Sequence, residues 1–295
     1  MDELIRMAAF DWLEKQRQFH GDVMPRRLLE AGFEFQGQRI TLIGPSGIWK
    51  PRMMELPISI TTSPNSPYQD GPPENGLIEY CYRGTDMYHP DNVGLRRLMQ
   101  EQQPVVYFLG LTPGRYFVAW PVYIVGDDPN RLMFTVAVED QAVLREPNLV
   151  AEPQALYRRS YLTSTMKVRL HQQSFRERVL RAYSNQCALC RLKHPELLDA
   201  AHIIGDRDDF GDPVVQNGLS LCKIHHAAFD RNILGVSPDY IIKVREDILE
   251  EIDGPMLKYG LQSLENNKIS LPNRRQEWPD RERLETRFGA FLRAG

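Results

Sequence analysis

The chain has 295 residues, 42% apolar and 25% charged, with a formal net charge of −3. This is the make-up of a soluble globular protein long enough for two ordinary domains. It lacks the run of roughly eighteen apolar residues that a membrane span needs, and its acidic start, MDELIRMAAFDWLEKQ, is not a secretory signal.

Apolar Leu4, Ile5, Ala8, Ala9 and Leu13 recur at helical spacing, so residues 3 to 18 are expected to form a helix. A second short helix is expected over 24 to 31, with Pro25 early in it and Gly32 after it. GFEFQGQRITLIG and LPISITTS alternate and are rich in β-branched residues, which predicts strands. Trp49-Lys50-Pro51-Arg52 reads as an exposed basic turn, either solvated or touching a phosphate backbone. SPNSPYQDGPPENG is a loop by composition, followed by a strand in LIEYCYRG and a helix in PDNVGLRRLMQEQ. PVVYFLGLTPGRYFVAWPVYIVG then predicts two or three strands turning at Thr112 to Arg115, and RLMFTVAVED one more. Many strands with few helices predict an α+β arrangement with a small twisted sheet or barrel.

Tyr68-x-Asp70, Asn75-Gly76 and Tyr80-x-Tyr82-Arg83-Gly84 precede a helix holding Asn92 and Leu95 and a Pro-Val-Val strand at 104 to 106. This layout resembles the SRA domain, a PUA-like β-barrel that binds modified cytosine in DNA. The family places its aspartate three residues after the tyrosine and has Tyr-Thr-Gly in the next strand. Here the aspartate follows by two residues and Arg83 stands for threonine. The resemblance implies an SRA-like DNA-binding domain over 1–155. A base extruded from a duplex needs aromatic faces and a partner for its Watson–Crick edge. Tyr68 and Tyr82 can supply the faces, and Asp70 can accept from the cytosine amino group. The plainer reading is that both tyrosines are ordinary strand residues.

Residues 156–185 read as a basic linker that becomes helical. Between Leu156 and His194 there are nine Lys or Arg and one acid, Glu177, a local stripe suited to phosphates despite the negative total. Phe175, Val179 and Ala182 or Tyr183 share one helical face, leaving Arg176, Arg178 and Arg181 for phosphates or for solvent.

Cys187-x-x-Cys190 and Cys222-x-x-His225 have the spacing of a tetrahedral zinc site. Four protein ligands leave no open position, so this Zn²⁺ is expected to be structural. His194 is a competing imidazole without paired spacing. Cys81 stands alone, so a disulfide framework is not expected and the compartment is expected to be the reducing cytoplasm.

Ala200-Ala201-His202-Ile203, Asn217-Gly218-Leu219-Ser220-Leu221-Cys222 and His226-Ala227-Ala228-Phe229-Asp230 lie in register with those zinc pairs. Together they resemble the HNH, or ββα-metal, endonuclease family, over roughly residues 174 to 240. The resemblance implies a zinc-stabilised HNH nuclease domain over 186–295 with a C-terminal helical extension, and a metal-dependent phosphodiester hydrolase. His202 would be the general base that activates water. His226 would bind the catalytic divalent ion, Mg²⁺ or in its place Mn²⁺, Ni²⁺ or Co²⁺. Many members have a metal-binding Asp or His where this chain has Ala201. Asp199 can reach the metal from one pleat back, or orient a neighbour or cap a turn. Asn217 can hold the loop of the base; in parts of the family it binds metal. Asp230 can orient His226 or close the helix, and Arg231 is a candidate phosphate contact. The acidic stretch from Gly205 to Gln216 reads as a solvated loop.

Beyond the module, residues 239 to 244 predict a strand, 255 to 264 a short helix, and 279 to 292 a helix with Pro279 in its first turn. The whole reads as an endonuclease that cuts double-stranded DNA containing modified cytosine, 5-methylcytosine foremost, as a restriction device. One HNH site cuts one strand, so a homodimer is expected at least on DNA, with no membrane partner. Two alternatives stay open. The N-terminal domain can read an unmodified site or another modification, or the nuclease module can be inactive with only DNA binding left.

Overall fold

A computed structural model describes residues 1–64, 77–139, 154–206 and 208–294. The chain divides into two compact units, Met1–Gln173 and Ser174–Gly295. Tyr68, Asp70 and Asn75-Gly76 lie outside the described residues.

The first unit opens with α1 (Asp2–His20), which buries Ile5, Arg6, Ala9, Phe10 and Leu13 along one face. Strand β1 (Val23–Pro25) leads into α2 (Arg26–Ala31). Gly32 follows at φ 61°, and a Cβ there would stand 1.9 Å from the Ile40 carbonyl oxygen, so only glycine fits this turn. Strands β2 (Phe33–Phe35) and β3 (Gln38–Ile40) form a separate hairpin. The main sheet is built from β4 (Ile48–Trp49), β5 (Ser59–Thr62) and β6 (Ile78–Cys81). After α3 (Pro90–Gln100) come its remaining strands, β7 (Val105–Thr112), β8 (Arg115–Asp128) and β9 (Met133–Val138). The order is β4-β5-β7-β8-β9-β6, with β1 also on β8. Among the described residues only β5 and β7 run parallel.

Both faces of this sheet are covered, which explains why its central strands read as unbroken apolar runs. In β7, Val105, Tyr107 and Leu109 join a core with Leu95 and Leu98 of α3. Val106 and Phe108 point the other way, to Ile5, Phe10 and Leu13 of α1. The alternation in β8 changes parity at Pro121. Phe117 and Ala119 share a core with Val122 and Ile124, where the pairing with β7 shifts register. Such a bulge bends a strand and increases its twist.

The sheet curls without closing. The sequence reading expects a barrel, but among the described residues no ladder joins the edge strands β4 and β6. The Tyr80 hydroxyl instead donates to the Gly47 carbonyl at 3.0 Å, so a side chain bridges the two edges. Trp49 is also placed differently from the basic turn expected of it. It pairs with Ser59 in β4, and its Nε1 donates to the Thr41 carbonyl at 3.0 Å.

Helix α4 (Gln154–Ala182) contributes to each unit. Met166 packs in the first, where the Thr163 hydroxyl accepts from the Val138 amide. Phe175, Val179 and Tyr183 are core residues of the second. The boundary between units thus falls inside the stretch 156–185.

The second unit continues through the turn that carries Cys187 and Cys190 to β10 (Leu198–His202) and β11 (Gly218–Cys222), an antiparallel pair that puts His202 opposite Gly218. Helix α5 (Lys223–Asp230) follows at once. A second hairpin, β12 (Leu234–Val236) with β13 (Ile242–Val244), then leads to α6 (Glu246–Glu250), α7 (Pro255–Gly260) and α8 (Arg281–Ala294). Helix α8 starts two residues later than the sequence suggests. Asp280 accepts from the Arg283 amide at 3.0 Å and so caps the helix, leaving Pro279 outside it. No helix among the described residues is long and apolar enough to cross a membrane.

Candidate active site

The β10–β11–α5 unit carries two groups of side chains. In the first, donor atoms of Cys187, Cys190, Cys222 and His225 all lie within 4.8 Å of one another. The His225 Nδ1 stands 3.4 Å from the Cys187 sulfur and 3.2 Å from that of Cys222. Its Nε2 is 2.7 Å from the Gly260 carbonyl. A carbonyl can only accept, so Nε2 carries a proton, and Nδ1 faces the sulfurs, donating to them in the protonated ring or offering its lone pair to a metal. Burial pulls this imidazole down, but hydrogen bonds to Cys187 and Cys222 outweigh it and raise it to about 10. A cation among these atoms, proton or metal, is what the donor set favours, and three sulfurs with one imidazole suit Zn²⁺. The Cys187 turn is held by backbone bonds from Cys187 to Leu192 and from Ala188 to Ser220. His194 is exposed, 3.3 Å from Glu196, and is not part of the group.

The second group lies along β10 and the other side of α5. His202 ends β10 with its ring stacked on Phe175, the centroids 4.0 Å apart. Burial lowers its affinity for protons, and nearby His226 lowers it further, against Asp206 and Asp230, which raise it. The net effect favours the neutral imidazole, the form a base needs. His226 has Nδ1 3.7 Å from Asp199 and Nε2 3.3 Å from Asp230. The Asp199 carboxylate raises it above the ordinary imidazole value, with Asp230 adding to this against burial. Burial alone would raise the Asp199 carboxyl, yet His226 and Lys223 hold it well below the usual carboxylate range. Imidazole flanked by carboxylates is a nitrogen and oxygen set that suits a divalent ion.

Asn217 is fully buried. Its side-chain oxygen accepts from the Ile204 amide at 2.9 Å, and its nitrogen donates to the carbonyls of Ile204 and Asp212. The amide therefore ties the loop after His202 to the start of β11. Arg176, read from the sequence as free for phosphates, donates to the carbonyls of Pro195 and Leu198 and stands 3.5 Å from Asp199. Arg178 likewise donates to Pro213. Arg231 is exposed at the end of α5. Sequence reasoning missed Lys223 as a partner of Asp199 and Phe175 as the neighbour of His202. Lys223 adjoins Cys222 of the sulfur group and Phe175 follows the helical face already noted, but nothing in one sequence pairs either with residues 24 and 27 positions away.

In the first unit, a cavity of about 440 Å³ opens where the curled sheet brings β4 and β5 towards β6. Ser46, Gly47, Thr61, Thr62, Tyr80 and Tyr82 are among its lining. Tyr82 is buried, with its ring stacked on Phe134 at 4.5 Å. Its hydroxyl bonds to Asp127 and accepts from Arg96 at 3.0 Å. It is a wall fixed from behind, and Tyr80, overlooked from sequence as a pocket residue, lies beside it.

The sequence profile of a family described as HNH endonuclease matches residues 187–237. No curated protein matches the chain. Among solved structures, the modification dependent TagI restriction endonuclease is similar at 17% identity, over 94% of this chain and 89% of that one, with a TM-score of 0.33. The matched stretch holds both groups of β10–β11–α5 side chains apart from those on α4. The chain carries an HNH endonuclease domain and is a nuclease.

Proposed function

We propose that this nuclease is a modification-dependent DNA endonuclease, acting in restriction on double-stranded DNA that carries modified cytosine, 5-methylcytosine foremost. The observation that carries the cutting half is a desolvated His202 near a His226 gripped by two carboxylates. His202 takes a proton from the attacking water. Asn217 holds the loop that follows it, and Arg176 and Lys223 hold the Asp199 carboxylate in place. His226, with Asp199 beside it, would hold a divalent ion such as Mg²⁺, which when bound stabilises charge on the phosphate and leaving oxygen. The Cys187, Cys190, Cys222 and His225 set would hold a structural Zn²⁺.

The recognition half rests on the cavity of the sheet unit, whose volume is in the range of small-molecule sites. A base turned out of the duplex would enter it beside Tyr80 and Tyr82; the sequence alone offers Tyr68 and Asp70 as further contacts. Arg231 would meet the phosphate backbone. Two copies on DNA would cut both strands.

The test is plasmid cleavage with Mg²⁺ or Mn²⁺ on DNA with and without 5-methylcytosine, with His202→Ala beside the native protein. Cutting of the methylated plasmid alone, lost in the variant, is expected. Equal cutting of both plasmids refutes the base-reading cavity and keeps the nuclease. Full cutting by His202→Ala refutes the assignment of the base.

A further inference from the structure

We propose that Phe175 is a positioning residue for His202, setting the plane of the imidazole from a helix outside the matched stretch 187–237. This rests on the reading of His202 as the general base. The two rings lie 4.0 Å apart between centroids and only 16° from parallel. Phe175 is 2% exposed, so its own ring is held by the core around it. An imidazole at the end of a strand can turn about two side-chain bonds. A fixed flat neighbour on its face removes most of that freedom and keeps water from that side.

The residue opposite His202 supplies the second observation. Cross-strand partners in an antiparallel pair project to the same face, and the partner here is Gly218. Its backbone is ordinary β structure, φ −129° and ψ 142°, so no torsion requires glycine. Space does. A Cβ at 218 would stand 3.0 and 3.2 Å from two carbons of the Phe175 ring and 2.5 Å from a Val179 methyl. The collision with the Val179 methyl is the harder one and the ring is crowded beside it, so the missing side chain at 218 leaves room for both Val179 and Phe175 on this face. The glycine of the Asn217-Gly218-Leu219 motif thereby acquires a role that its backbone does not explain.

If Phe175 merely filled the core, a leucine would serve. Phe175→Leu keeps apolar bulk and removes the flat face. With the zinc-loaded full chain, Mn²⁺ and methylated plasmid, kcat is expected to fall about tenfold or more, the cost of a misaligned base. KM and zinc content should hold. Gly218→Ala should lower kcat in the same direction, because the added methyl displaces Val179 and crowds the ring. In parallel, NMR of histidine-labelled protein, with His202→Ala to assign the signal, should show His202 ring protons displaced by the aromatic ring current. That displacement should vanish in Phe175→Leu. Native kcat in Phe175→Leu while His202→Ala is inactive overturns the inference and leaves the base assignment standing. Native activity in His202→Ala overturns the base assignment instead. The NMR arm needs no substrate, and a His202 signal unmoved by Phe175→Leu overturns the inference whatever the cleavage result.

Discussion

His225 and His226 are adjacent in α5 and live in unlike surroundings. His225 is 3% exposed, with sulfurs on one nitrogen and a carbonyl on the other. His226 has a side chain 23% exposed, with a carboxylate at each nitrogen. Neighbours on an α-helix point about 100° apart, so one helix faces a mostly buried sulfur cluster and a pair of partly exposed carboxylates at once. The same side chain becomes a candidate structural ligand where it is buried and soft donors gather. It becomes a candidate for a labile hard cation where oxygen donors and solvent meet it. The lesson is that direction and neighbours, not residue type, divide the labour of this module.

The comparison breaks most visibly at the sulfur side. Cys222→Ala should lose the metal and with it the fold of the second unit, since a structural zinc contributes roughly 10–16 kcal/mol of apparent binding energy to folding. Metal analysis and far-ultraviolet circular dichroism would show the loss, and cleavage would go with it. A metal-free variant that melts like the native protein would refute the structural role.

The pair His225→Ala and His226→Ala sharpens the contrast. His225→Ala should behave as the cysteine variant does. His226→Ala should keep its zinc and its melting temperature while cleavage drops on the order of a thousandfold, from several kcal/mol of lost charge stabilisation. Equal loss of zinc in both would erase the division of labour.

The smallest effect is on pH. Because burial holds His202 below the ordinary 6.5, the neutral base is present above its lowered value and lost as pH falls through it. Cleavage at saturating metal should therefore rise with pH and level off on the acid side of 6.5. A rise centred above that value would contradict a desolvated base.

Which residues could ligate zinc was legible in the sequence, because a tetrahedral centre built from two short turns tolerates few spacings. The long helices and strands were legible too, α1 and α3 from a helical period, β7 and β9 from short apolar and β-branched runs. The two-residue β4 was not, because Ile48 and Trp49 become a strand only through their partners Ile60 and Ser59. Strand β12 escaped for the same reason. Barrel closure was not legible because it depends on whether two distant edges meet, and among the described residues Tyr80 bridges them without a ladder. The arginines of α4 were readable as a basic face, but not their acceptors, the carbonyls of Pro195, Leu198 and Pro213, which chain folding alone brings near. By itself, then, the sequence determined the chemistry on offer, because donor types and local spacing are properties of short stretches. Only the tertiary structure decided what lies against each donor: Phe175 on His202, Lys223 and Arg176 on Asp199, Gly260 on His225. Those contacts set exposure, proton affinity and orientation, and they arise between residues too far apart in the chain for any local pattern to encode.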